Sequence, residues 1–187
     1  DLFLKPDGTP IKFFDAVVGG RSVGTPGTLK LMFEAHRRYG KLAWARLLNP
    51  AIDLAEAGFD VSPRLAQLIA NDQKRLVTSA TARAYFFDKD GQPLLAGTRL
   101  KNPLYAETLR LISAHGAEVF YSGEIAHDIV AAVQGAQNPG LLSGQDLAAY
   151  RVIERDPVCA PYRAFKVCGM GPPSSGALTV GQILGMV

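Results

Sequence analysis

Apolar residues recur along most of the chain at a spacing of three and four, the period of helices with one buried face. In "TPGTLKLMFEAHRRYG" this places Leu29, Met32, Phe33 and His36 on one side. Thr25 reads as the N-cap there, with Pro26 at the first helical position and Gly40 as the stop. Glu34 and Arg38 stand in the favourable i,i+4 order. In "WARLLNPAIDLAEAGF" the inner face is Leu48, Ile52, Ala55 and Phe59, and Gly58 closes the run. Pro50 predicts a break, with Asn49 capping a new helix.

The same punctuation continues downstream. Ser62-Pro63 opens a helix carrying Leu65, Leu68 and Ile69, and Asn102-Pro103 opens one carrying Tyr105, Leu109 and Ile112. Ser122 is expected to cap a helix through Ile125, Ile129 and Val133. Ser143 and Asp146 have the spacing of a capping box. Strand signals are sparse: a hairpin at "AYFFDKDGQPLL" with its turn at Asp90-Gly91, and another at "PVCAPYRAFKVCGM". A two-residue turn at Arg163-Ala164 sets Tyr162 against Phe165 and Cys159 against Cys168, a non-hydrogen-bonded pair where side chains are closest. A disulfide there and two buried thiols remain alternatives, because Ala164 stands where tight hairpins favour Gly or Asn. The expectation is a helix-rich α+β chain, read as one domain over 1–187 with no linker or repeat.

The last helix differs from the others. From Val167 to Val187 there is no charged residue, but Pro172 and Pro173 divide the stretch. The apolar run after them is shorter than the ~20 residues that a membrane span needs. Ala177, Gly181 and Gly185 form a small-residue face, while Val180, Ile183, Leu184 and Val187 are bulky. Exposed, each large apolar side chain forgoes about 1.5–3 kcal/mol of burial. A partner surface, further structure or self-association is therefore expected to cover this helix.

Composition narrows the functional classes. The 187 residues are 48% hydrophobic and 20% charged with a net charge of +3, the profile of a globular chain able to bury a core. The basic cluster His36, Arg37, Arg38 and Lys41 reads as a solvated helix end, so no nucleic-acid partner is expected. His36, His115 and His127 lie far apart and no H-x-x-x-H or C-x-x-C occurs, so no metal is expected. No phosphate-binding G-x-x-x-x-G-K-[ST] loop is present, and no cofactor is expected. Asp53 and Glu56 could share a helix face as an acid/base pair, but exposed carboxylates in a first helical turn are ordinary, so no catalysis is expected of them. The window Pro172–Gly176 has proline where a nucleophile elbow needs its first glycine, so Ser174 and Ser175 read as helix-capping residues. The free N–H groups at Ser174, Ser175 and Gly176 are the candidate anion site. No catalytic residue is expected in this chain.

Taken together, "SVGTPGTLKLMFEAHRRYGKLAWARLLNPAIDLAEAGFDVSPRLA", "FYSGEIAHDIV", "LLSGQDLAAYRVIERDPV" and "GPPSSGALTVGQIL" resemble the γ-glutamyltranspeptidase (glutathione hydrolase) family. The resemblance implies an N-terminal-nucleophile hydrolase of αββα type, made as a precursor that cuts itself into a large and a small subunit. It implies that a freed N-terminal threonine attacks the γ-glutamyl amide of glutathione and passes the acyl group to water, an amino acid or a peptide. A free α-amine serves as the base for its own hydroxyl in such chemistry. This chain matches the middle of the large subunit. The threonine, the oxyanion-hole glycines and the carboxylate-binding arginine fall outside it, which leads us to expect an inactive segment whose partners are the rest of the large subunit and the small subunit. Ala177 departs from the family, many members of which carry a second glycine after the serine pair. Family members are typically periplasmic, secreted or membrane-anchored, and no targeting pattern here fixes a compartment. Rival expectations are a cephalosporin or glutaryl acylase-like relative, a poly-γ-glutamate-processing relative, and a non-catalytic scaffold or binding module.

Overall fold

In the computed structural model, which describes residues 2–187, the chain forms two compact units: one runs to Arg151, the other spans Val152–Val187.

The first unit is helical. Its elements are α1 (Phe13–Val17), α2 (Thr28–Tyr39), α3 (Trp44–Ala57), β1 (Phe59–Asp60), α4 (Pro63–Asn71), α5 (Gln73–Leu76), α6 (Ala80–Phe86), β2 (Arg99–Leu100), α7 (Pro103–His115), α8 (Glu118–Tyr121), α9 (Gly123–Gln134) and α10 (Gly144–Ala149). One core lies where α3 packs on α7: Ile52 and Ala55 meet Ala106 and Leu109, with Leu48 alongside. A second gathers Ala117, Tyr121, Ala126 and Leu147 from α8, α9, α10 and the turn before α8, with Leu29 and Phe33 of α2 packed against it. The antiparallel pair β1–β2 fastens the end of α3 to the start of α7, Phe59 opposite Leu100.

Several caps fall where the sequence places them. Ser62 Oγ accepts from Leu65 N–H at 3.1 Å, and Asn102 Oδ1 accepts from Tyr105 N–H at 3.0 Å. Ser143 and Asp146 complete a reciprocal capping box. Other expectations are overturned. Pro50 does not start a helix but lies inside α3. An interior proline costs roughly 3 kcal/mol, but Leu48 before it and Ile52 and Ala55 after it pack into one core against α7, so burial on both sides holds the helix continuous. Phe59 is not part of that inner face and stays 39% exposed. Ser122 precedes α9 without capping it, because its hydroxyl donates to the Glu118 carbonyl instead. The "AYFFDKDGQPLL" hairpin shrinks to one bridge, Phe87 to Pro93, since Tyr85 and Phe86 complete α6. Its turn is built by Asp88, whose Oδ1 accepts the N–H groups of Asp90 and Gln92 at 2.9 and 2.8 Å.

The second unit is a hairpin with a helix on one face. Strands β3 (Val158–Tyr162) and β4 (Phe165–Gly169) pair antiparallel in the expected register, with Cys159 opposite Cys168. The two sulfurs are bonded. Arg163, not Ala164, takes the positive φ of 53°, so the turn makes no demand for glycine at position 164. α11 (Gly176–Met186) packs on both strands. No helix among the described residues is long and apolar enough to cross a membrane.

Candidate functional site

Two helix entries gather polar groups: that of α11, which holds the candidate serines, and that of α2. A cis peptide bond joins Pro172 and Pro173, and Ser174 N–H donates to the Gly171 carbonyl at 3.1 Å. Ser174 Oγ accepts from Gly176 N–H at 3.2 Å, and Ala177 N–H donates to the Met170 carbonyl at 3.3 Å. Two of the amides that an anion at Ser174, Ser175 and Gly176 would take are thus already engaged within the chain. Ser175 is the N-cap residue but makes no side-chain capping bond.

The cluster at α2 was not legible in the sequence. The helix begins at Thr28, three residues after the expected Thr25 cap, and its N-cap is Gly27. Glycine has no side chain to accept the free amides, and the acceptor comes from α8. Tyr121 Oη accepts from Lys30 N–H at 3.1 Å and donates to the Pro26 carbonyl at 2.7 Å. Tyr150 stacks on Tyr121, ring centroids 6.0 Å apart, and its hydroxyl fills the place where a Cβ on residue 27 would project. Gly27 is needed for space rather than for its backbone angle. Lys30 lies within this packing, 7% exposed, and carries its ammonium out to Glu118 and over the Tyr121 ring. Met32, which the periodicity placed inward, is instead 52% exposed. Burial raises the Tyr121 hydroxyl above its ordinary value.

The remaining candidates separate. His36 Nε2 pairs with the Leu42 carbonyl at 2.8 Å, and its half-buried ring lies 5.3 Å from Trp44. His115 and His127 are exposed. Glu56 pairs with Arg110 of α7, so it is tied to the α3–α7 contact and not to Asp53. Beside that contact is an apolar cavity of 660 Å³, walled in part by Leu29, Trp44, Leu48, Tyr105 and Phe120. Among the described residues, no Asp, Glu, Lys or Arg lines it. Among the described residues no group of three His, Cys, Asp or Glu is placed to hold a metal ion.

The fold is a helix-rich α+β one, and Lys30, Glu56, Tyr121 and Ser174 each engage a partner within the chain. The sequence model of the gamma-glutamyltranspeptidase family matches residues 1–187, and the chain belongs to that family. It is 34% identical over 187 residues to the glutathione hydrolase proenzyme of Escherichia coli (strain K12), covering 100% of this chain and 32% of that protein. It is 38% identical over 171 residues to the acylase ACY 1 proenzyme of Pseudomonas sp. (strain V22), covering 91% of this chain and 30% of the relative. Among solved structures, the gamma-glutamyltranspeptidase of Helicobacter pylori superposes with a TM-score of 0.90 at 33% identity, over 97% of this chain and 51% of that one. The chain thus spans about a third of the length of these curated relatives.

Proposed function

We propose that this polypeptide is the scaffold of the large subunit in a γ-glutamyltranspeptidase-type enzyme. Such an enzyme cleaves the γ-glutamyl amide of glutathione and related compounds and transfers the acyl group to water, an amino acid or a peptide. In this reading the attacking threonine and the substrate-binding arginine are supplied by other segments of the same self-cleaving precursor. Those segments, in the large and small subunits, are its partners. The likeness to the Helicobacter pylori enzyme over 97% of the chain carries the proposal. The internal engagement of Ser174 agrees with a packing role. Its compartment, on the same reading, is the periplasm or the exterior.

The purified 187-residue chain is expected to release no p-nitroaniline from γ-glutamyl-p-nitroanilide. The precursor that contains it is expected to cleave itself and then turn that substrate over. Turnover that follows this chain alone through purification would refute the assignment.

A second reading, an acylase acting on glutaryl or cephalosporin side chains, draws on the 38% identity to the Pseudomonas acylase proenzyme. The processed precursor decides between the two. Preference for glutaryl-7-aminocephalosporanic acid over γ-glutamyl-p-nitroanilide would install the acylase in place of the transpeptidase.

A further inference from the structure

The hairpin of the second unit has two unlike faces. Strand alternation puts Val158, Ala160, Val167 and Gly169 on one, and Cys159, Pro161, Lys166 and Cys168 on the other. α11 covers the first face. A Cβ on Gly169 would press on Ala177 at 3.3 Å, and a Cβ on Gly181 on Ala160 at 3.3 Å. The disulfide therefore stands on the face away from α11, with Cys168 exposed and Cys159 half-buried. Between Val158 and Gly169 the charged residues are Arg163 and Lys166, both basic, and Lys166 shares the face of the disulfide.

We propose that Cys159–Cys168 is a thiol-exchange site, open in the folded chain to small-molecule thiols and attacked at Cys168. The thiolate of the small thiol bonds to Cys168 Sγ. The Cys159–Cys168 bond breaks, and Cys159 leaves with the electron pair as a thiolate that takes a proton from water. A second small thiolate then attacks the small-molecule sulfur of the mixed disulfide and displaces the Cys168 thiolate. Two small thiols are thereby oxidised to their disulfide, and the protein bond is reduced. Access sets the rate and site of such exchange, and Cys168 is the more exposed residue of the pair. Lys166, on the face of the disulfide, attracts an anionic thiol there and stabilises the thiolate that leaves. The inference stands on the hairpin and does not use the enzyme reading.

The test treats the oxidised full chain with reduced glutathione in the absence of denaturant, quenches with acid and maps adducts by mass spectrometry. The expected result is a mixed disulfide several-fold more abundant on Cys168 than on Cys159. In Cys159→Ser, oxidised glutathione should load Cys168 and the adduct should persist, because no second protein thiol displaces it. Lys166→Glu should slow exchange with anionic glutathione several-fold while leaving cationic cysteamine unslowed. Thiols that appear only at the rate of global unfolding would overturn the proposal. So would an adduct favouring Cys159, or equal effects of Lys166→Glu on the two thiols.

Discussion

Tyr121 caps a helix from a distance of 91 residues, and the cost of removing one oxygen measures that arrangement. In Tyr121→Phe the Lys30 N–H and the Pro26 carbonyl lose their partner inside a packed cluster. A buried donor or acceptor left alone costs about 1–3 kcal/mol, so the variant is expected to unfold at correspondingly lower denaturant. The same hydroxyl carries a pH signature. Burial raises its folded pKa above the ordinary 10.0. Its stabilising contribution is therefore complete below that pH and is lost as pH rises through the folded value. Tyr121→Phe should flatten this part of the alkaline limb of a denaturation-midpoint profile, and an unchanged limb would count against the assignment. Pattern reading could not have found this cluster. Gly27 looks like an entry to a helix, Lys30 like a solvent-facing lysine, and what makes them otherwise is the arrival of Tyr121 and Tyr150 from far along the chain.

Local chemistry decides many of the elements, and there the sequence reads well. Ser62, Asn102 and Ser143 each find the amide three residues on, because a cap needs nothing beyond its own turn. The Cys159–Cys168 register follows likewise from the turn at Arg163-Ala164. Pro50 and Ser122 escape local rules: Pro50 is held in α3 by the packing of that helix on α7, and Ser122 is diverted to the carbonyl of Glu118. The capping box offers an acid-side test. The Ser143 hydroxyl, and then its backbone N–H, hold the Asp146 carboxyl below its ordinary 3.8. The lowered value means stability present above pH 3.8 that is lost as pH falls through the folded pKa. Ser143→Ala is expected to weaken this acid-side loss, read by circular dichroism between neutral and acid pH. Backbone crossing supplies a harsher probe. Gly20 is buried where its N–H donates to the Asn138 carbonyl at 2.8 Å, and a Cβ there would run into the Val133 carbonyl. Since the obstacle is backbone, Gly20→Ala should cost about 3 kcal/mol or fail to fold, whereas Gly24→Ala, with open space around it, should be mild.

At the scale of the whole molecule, α11 ties the architecture to the proposed role. Its small residues Ala177 and Gly181 face the hairpin and let the backbones approach, as a small-residue face does. The bulky residues look elsewhere: Leu178 is 51%, Val180 44% and Ile183 50% exposed. A helix serving only this hairpin would gain by carrying polar groups there. Each such side chain forgoes about 1.5–3 kcal/mol of burial in water. A scaffold that meets the rest of its precursor through α11 would keep these residues apolar. The chain on its own is then expected to self-associate through this helix, its sedimentation coefficient rising with concentration. Val180→Asp with Ile183→Asp should return it to a monomer without loss of helical signal, because both positions are half-exposed and neither belongs to the core. A concentration-independent monomer that keeps α11 ordered would show that these residues need no cover, and the argument for a partner at this surface would fail with it.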